Sequence, residues 1–269
     1  MIDKLNIGIA GIAGRMGRQV MTSALAAGHR VTGGSERDVS HHVGDPIGSL
    51  IGDPGLTHPI VDDPVEAAHE ADIWVDFTAP MVTLFDLAAL AHSSVHGVII
   101  GTTGFSDGEL KQIEEFGERY AIVKAGNFSL GVNLLTALTR KVSARLGTDW
   151  DIEILETHHR HKVDAPSGTA LMLGEAAAEG RGKPLDHLQR DPYLGTDAKR
   201  APGDIGFSVR RSGGVIGDHE VTFGSETELV SLRHTALDRR VFAQGAIKAA
   251  EWAMTQEPGF YTMDDVLGV

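Results

Sequence analysis

The sequence predicts an α/β protein of two domains: a doubly wound parallel sheet, then an α+β domain with a mixed open sheet. Three observations carry that prediction. Short apolar runs alternate with helical stretches through the first half, as in parallel βαβ units. A glycine-rich turn stands where the first strand should pass into the first helix. After about residue 129 the strands follow one another without crossover helices, which is the grammar of a mixed or antiparallel sheet. A chain of 269 residues is long enough for two modest domains, each with its own core.

Taken in order, Leu5 to Ala10 (LNIGIA) reads as a buried strand, Arg15 to Ala27 as an amphipathic helix and Arg30 to Gly34 as a second strand. Residues 38–70 are rich in Asp, Gly, Pro and His, and their periodicity is too weak to place an element. Strands follow at Ile73 to Thr78, Val98 to Ile100 and Ala121 to Lys124, with helices between them. Ser106 and Glu109 have the spacing of a capping box at the start of one of these helices. A helix from Leu130 to Leu146 leads into the second domain. There Asp151 to Thr157 alternates with Ile152 and Ile154 on one side, and Gly206 to Arg211, Gly217 to Gly224 and Glu228 to Thr235 read as further strands. Helical periodicity returns over Val241 to Met254. The expected domains are therefore 1–129, completed by a C-terminal helix over 240–269, and 130–239.

Composition removes several function classes. With no cysteine, disulfides, thiolate metal sites and thiol catalysis are excluded. A net charge of −13 opposes a general nucleic-acid binder, whose affinity comes from clustered Lys and Arg. Neither a charged leader with an apolar core nor an apolar run of about 18 residues occurs, so a cytoplasmic protein with no membrane partner is expected. Glycine, 33 residues of 269, exceeds the usual share of about 7% without forming a low-complexity tract, so glycine positions are informative.

The first informative position is Gly11-Ile12-Ala13-Gly14-Arg15-Met16-Gly17, at the turn from first strand to first helix. Small residues there let the backbone approach a pyrophosphate, and the helix dipole favours its charge. Ala13 replaces the middle glycine of G-x-G-x-x-G, and a tight structural turn is the alternative. Glu36 follows the second strand at nearly the separation expected of a ribose-binding acid, and Arg37 is placed for a 2′-phosphate. Together they point to use of both NADH and NADPH; two solvated loop charges are the alternative. Two further clusters lie at strand ends, Gly101-Thr102-Thr103-Gly104 and Ala125-Gly126-Asn127-Phe128, suited to a nicotinamide and its ribose. Asp76-Phe77-Thr78 is a third such edge.

The densest chemistry is ETHHRHKVDAPSGTA, residues 156–170. Histidine is the natural proton donor near neutral pH, and Lys162 adds a cation and a second proton source. Pro166, Ser167, Gly168 and Thr169 read as a helix start whose amides hold a carboxylate. The combination describes a site for an anionic substrate that must be protonated. Zinc ligation by His158, His159 and His161, a merely solvated basic loop, Ser167 as nucleophile and Lys162 as Schiff-base former are the other readings of the same residues.

The whole pattern resembles the dihydrodipicolinate reductase family, nicotinamide-dependent enzymes of lysine and diaminopimelate biosynthesis. The match runs nearly end to end: GIAGRMG at 11–17, Glu36-Arg37, DFT at 76–78, GTTG at 101–104, GNFSLGVN at 126–133, the 156–170 signature, PGDIGF at 202–207, Arg211 with Gly213, and Gly217-Asp218-His219. The resemblance implies a Rossmann-like first domain, a second domain whose sheet builds a homotetramer, and hinge closure. It implies reduction of a small cyclic dicarboxylate to tetrahydrodipicolinate with no metal. It makes His158 the general acid and Lys162 a second donor or charge stabiliser, with His159, Gly168 and Thr169 on the substrate carboxylates. The cofactor, NADH or NADPH, would meet Gly11, Ile12, Ala13, Gly14, Arg15, Met16, Glu36, Arg37, Gly101, Thr102, Thr103, Ala125, Gly126, Asn127 and Phe128. Another two-domain semialdehyde or amino-acid dehydrogenase, or a module that senses the redox state of the cofactor without turnover, would share only the nucleotide half.

Overall fold

Residues 4–190, 196 and 198–269 are described by the computed structural model. β1 (Asn6–Ala10) carries Ile7 and Ile9, both buried, as expected where helices cover both faces of a parallel sheet. α1 (Arg15–Ala26) buries Val20, Met21 and Ala24 along one stripe and leads into β2 (Arg30–Ser35). Within 38–70 the chain forms β3 (Ile60–Val61) and α2 (Pro64–Ala67), the helix started by Pro64 and capped by Asp63, which accepts from the Val65 N–H. Two residues of strand and one turn of helix are too short to leave a periodic signal in the sequence.

β4 (Ile73–Asp76) stops two residues before the expected Thr78. The Asp76 carboxylate accepts the Thr78 N–H at 2.8 Å and the Thr78 hydroxyl at 2.6 Å, which turns the chain out of the ladder. α3 (Pro80–Ala89), β5 (Gly97–Ile100), α4 (Asp107–Phe116) and β6 (Ala121–Lys124) follow. The capping box at α4 forms as expected: the Ser106 hydroxyl accepts the Glu109 N–H, and the Glu109 carboxylate accepts the Ser106 N–H at 2.7 Å.

α5 (Leu130–Ser143) ends three residues before the expected Leu146, where the Ser143 hydroxyl donates to the carbonyl of Ala177. β7 (Asp151–His158) then alternates strictly, with residues 152, 154, 156 and 158 buried. α6 (Gly168–Gly180) is capped by Ser167, whose hydroxyl accepts the Ala170 N–H at 3.2 Å. β8 (Ile205–Arg211), β9 (Gly217–Gly224) and β10 (Leu229–Ala236) complete a four-stranded sheet in the order β10-β9-β7-β8. β7 is parallel to β8 and antiparallel to β9, so the sheet is mixed. Its core joins Ile152, Ile154, Val221 and Phe223 to Leu135 of α5 and to Ala170, Leu173 and Ala177 of α6.

The C-terminal segment is not one helix. α7 (Arg240–Ala253) ends ahead of Pro258, which cannot continue a helix, and is followed by β11 (Gly259–Tyr261) and α8 (Met263–Leu267). β11 pairs in parallel with β6 and extends the first sheet to seven parallel strands, β11-β6-β5-β4-β1-β2-β3, a Rossmann-like doubly wound order. The chain divides into two units, Met1–Ser129 with Arg240–Gly268, and Leu130–Arg239. His29 fastens α7 into the first: its Nδ1 accepts the Leu5 N–H and its Nε2 lies 3.1 Å from Glu251. No helix among the described residues is long and apolar enough to cross a membrane.

Candidate active site

In the first unit the candidate residues stand at the C-terminal ends of β1, β2, β5 and β6. The β1–α1 turn is drawn tight: the Gly14 N–H donates to the carbonyl of Gly11 at 2.9 Å, and Gly11 has φ +59°. A β-carbon on Gly17 would lie 2.4 Å from the Gly11 carbonyl oxygen, so only hydrogen fits there. Gly14 caps α1 with no side chain over its first turn, and that turn carries no acid, so its amides are left to an anion. Both sides of the Ala13 peptide are held. Its N–H donates to Glu36 Oε1 at 3.0 Å, and its carbonyl accepts from Arg18 Nε at 2.8 Å. Glu36 is thereby brought to the loop, while Arg37 is exposed beside it. Ile12 points into the core and offers a ligand only its backbone. These features fit a dinucleotide pyrophosphate and ribose.

Thr102 is buried, unlike exposed Thr103. Its hydroxyl donates to Asp76 at 3.2 Å and accepts the Thr78 N–H at 3.0 Å, so it ties two strand ends together. The Phe128 ring is buried edge-on against Phe77, 5.5 Å between centroids, while Gly126 is exposed. Beneath this edge lies a second carboxyl, Asp86 of α3, which accepts from the Trp74 indole N–H at 3.2 Å. Burial and the nearby Asp76 charge push Asp86 up to about 7.

In the second unit the chemistry converges on the end of β7. His158 Nδ1 lies 2.5 Å from Glu156 Oε2, and Arg211 grips the same carboxylate through both terminal nitrogens, at 2.8 and 2.9 Å. The Ser167 N–H donates to Glu156 Oε1 at 3.1 Å. Burial acts to raise Glu156, but Arg211 and His158 hold it below the usual carboxylate range. The His219 ring stands edge-on to His158 at 5.0 Å, and its Nε2 meets the Ser167 hydroxyl at 3.2 Å. Burial first, then the His158 charge, push His219 down to about 4, so it is neutral at working pH. Partial desolvation and the cations around it lower His159 as well. Among the described residues its Nδ1 is buried without a partner.

Lys162 does not reach His158 by any direct bond; it pairs with Asp164 at 2.8 Å. Gly168 is exposed and Thr169 half-buried at the first turn of α6. Three members of the cluster, Glu156, Arg211 and His219, were not singled out as chemical groups from sequence. The alternation of β7 held one signal: Glu156 falls on the inward face with His158. Arg211 and His219 arrive only through strand register, Arg211 directly opposite His158 and His219 opposite Glu156.

Comparison with known proteins gives a consistent result. The family model described as dihydrodipicolinate reductase, N-terminus, matches residues 5–128, and that described as dihydrodipicolinate reductase, C-terminus, matches residues 131–267. The 4-hydroxy-tetrahydrodipicolinate reductase of Cereibacter sphaeroides is 48% identical over 272 residues, covering 100% of both chains. That of Dinoroseobacter shibae is 47% identical over 271 residues with the same full coverage. Among solved structures, a dipicolinate-bound dihydrodipicolinate reductase from Paenisporosarcina sp. TG-14 shares the fold, with TM-score 0.75 at 24% identity over 96% of this chain and 97% of that one.

Proposed function

The chain belongs to the dihydrodipicolinate reductase family, and on that premise we propose that it is an NAD(P)H-dependent 4-hydroxy-tetrahydrodipicolinate reductase. It reduces the cyclic dicarboxylate, as 4-hydroxy-tetrahydrodipicolinate or the dihydrodipicolinate left by loss of water, to tetrahydrodipicolinate, in lysine and diaminopimelate biosynthesis. The observation that carries this reading is local. Within twelve residues, His158 to Thr169, the chain supplies a buried histidine, a lysine and a helix start.

The backbone of Gly11 to Met16 would hold the cofactor pyrophosphate, Glu36 the ribose hydroxyls and Arg37 a 2′-phosphate. Gly101 to Thr103 and Ala125 to Phe128 would flank the nicotinamide, with Thr102 contributing backbone because its hydroxyl is spent on Asp76. When bound, the reduced nicotinamide supplies a hydride. His158 delivers from Nε2 the proton that the conjugated ring then needs. A β-carbon at Gly217 would lie 3.2 Å from that nitrogen, so the glycine leaves its approach open. Lys162 stabilises the dianionic substrate or gives a second proton, leaving Asp164 to do so. His159 and the amides at Gly168 and Thr169 hold the carboxylates.

The reading carries with it a cytoplasmic homotetramer assembled on the second unit's sheet. The face turned away from α5 and α6 leaves Glu153, Leu155 and Thr157 half-exposed, and sedimentation velocity reads the assembly directly. Activity is tested by following reduced-cofactor absorbance when the protein meets freshly generated condensation product of pyruvate and aspartate semialdehyde, with NADH and NADPH in parallel. Oxidation dependent on that product is expected. Binding of cofactor without consumption overturns the reading.

A further inference from the structure

We propose that Glu156 is the positioning residue of this site. It orients His158 as the proton donor through a hydrogen bond at Nδ1 and sets that donor's distance from the carboxylate-holding start of α6, with Arg211 opposing its charge. The inference rests on the reductase reading above and deepens it.

A carboxylate offers about four lone-pair directions. Glu156, 1% exposed, uses all four: His158 Nδ1 and Arg211 Nη1 on Oε2, Arg211 Nη2 and the Ser167 N–H on Oε1. No lone pair is left to receive a proton, so the group remains an anion. Nδ1 of His158 therefore keeps its hydrogen, and Nε2 can carry one only when the ring is an imidazolium. The donor form is thus a cation whose counter-charge is built into the same strand, two residues away.

Two other bonds give Glu156 a second task. By accepting from the Ser167 N–H it fixes the residue just before Gly168 and Thr169. Through Arg211, which also donates to the Asp164 carbonyl at 2.6 Å, it fixes the loop between them. One buried carboxylate therefore registers the proton donor against the anion-holding turn. Among the described residues, His219 from β9 faces His158, and His159, which senses the His158 charge, is itself near His161, Lys162 and Arg239, with Lys162 paired to Asp164.

Opposite charge changes separate this role from a merely structural one. In the full-length protein, Glu156→Gln removes the anion and Arg211→Met removes the cation. Glu156→Gln is expected to lower kcat about 100-fold, to leave the KM for reduced cofactor within twofold, and to move the alkaline limb of the pH–rate profile down by about one pH unit. Arg211→Met is expected to move that limb upward, and Glu156→Asp to restore part of kcat. A proton resonance far downfield, from Nδ1–H held at 2.5 Å by a carboxylate, is expected in wild type and Arg211→Met and lost in Glu156→Gln.

Limbs moving in one direction, or unmoved, overturn the proposal, as does a downfield signal that survives Glu156→Gln. Should Glu156→Gln fail to fold, the direction of the limb in Arg211→Met decides alone. A wild-type protein that shows the downfield signal but never oxidises cofactor with the condensation product refutes the reductase reading instead, so the two failures are told apart.

Discussion

Where β1 runs into α1, the first unit offers backbone: carbonyls and amides drawn together by glycines, with side chains turned inward or away. Where β7 ends, the second unit offers side chains: an anion, a guanidinium and two histidines within a few ångströms of one another. The first arrangement is limited by size, because an added β-carbon at Gly17 meets the Gly11 carbonyl. The second is limited by charge, because each buried ion there depends on a partner. The most strongly shifted group of each unit responds oppositely to pH. In the first, Asp86 is raised to about 7 by burial and Asp76, so the folded state holds a proton that the unfolded chain releases near 3.8. Stability from that unit falls as pH rises between those values. In the second, His219 is lowered to about 4 by burial and His158, so the unfolded chain binds a proton near 6.5 that the folded state refuses. Stability from that unit falls as pH drops from 6.5 toward 4.

The contrast can be broken most forcefully at the proposed proton donor. His158→Gln is expected to lower turnover by about 10²–10⁴-fold, and Lys162→Met by a smaller factor, in steady-state assays with the condensation product; unchanged turnover in both removes their assigned roles. Next comes Asp86→Asn, which keeps an acceptor for the Trp74 indole but discards the misplaced acid. The rise from 3.8 to about 7, at about 1.4 kcal/mol per pH unit, is on the order of 4 kcal/mol. The variant should therefore melt above wild type at pH 8, with the gain shrinking at pH 5. A gain independent of pH would assign Asp86 some other role. Gly17→Ala should cost about 1–3 kcal/mol of local packing, seen as a lowered melting temperature, and the displaced Gly11 carbonyl should weaken cofactor binding in a fluorescence titration, without change in binding of a dicarboxylate analogue. The smallest effect is at exposed Arg37: Arg37→Ala should raise the KM for NADPH roughly fivefold or less, as for a solvated ion pair, and leave that for NADH alone.

Legibility in the sequence divided along the same line. The nucleotide turn and the 158–169 run are contiguous, so spacing alone exposes them, and the βαβ rhythm places most strands of the first sheet. What escaped detection depends on contacts distant in sequence. Arg211 reaches Glu156 across 55 positions, through the pairing of β8 with β7. His219 reaches Ser167 across 52. Asp86 looks like an ordinary polar residue of a helix until burial beside Trp74 and Asp76 changes its acidity. β3 and β11 contain two and three residues and owe their existence to the sheet edges they join. Glu156 is the instructive middle case, since period-two alternation already put it on the inward face with His158, and a buried acid two residues from a candidate proton donor is a readable signal.

On the proposed reading the units divide the labour, with cofactor binding built from the backbone of one and proton chemistry from the side chains of the other. That division is tested most directly by titrating NADH into wild type, Gly17→Ala and His158→Gln side by side, with turnover measured on the same samples. Weakened NADH binding is expected in Gly17→Ala alone, and turnover lost in His158→Gln while its NADH affinity stays at the wild-type value. NADH affinity falling in His158→Gln as far as in Gly17→Ala, or unchanged in both while His158→Gln turns over normally, would contradict that division.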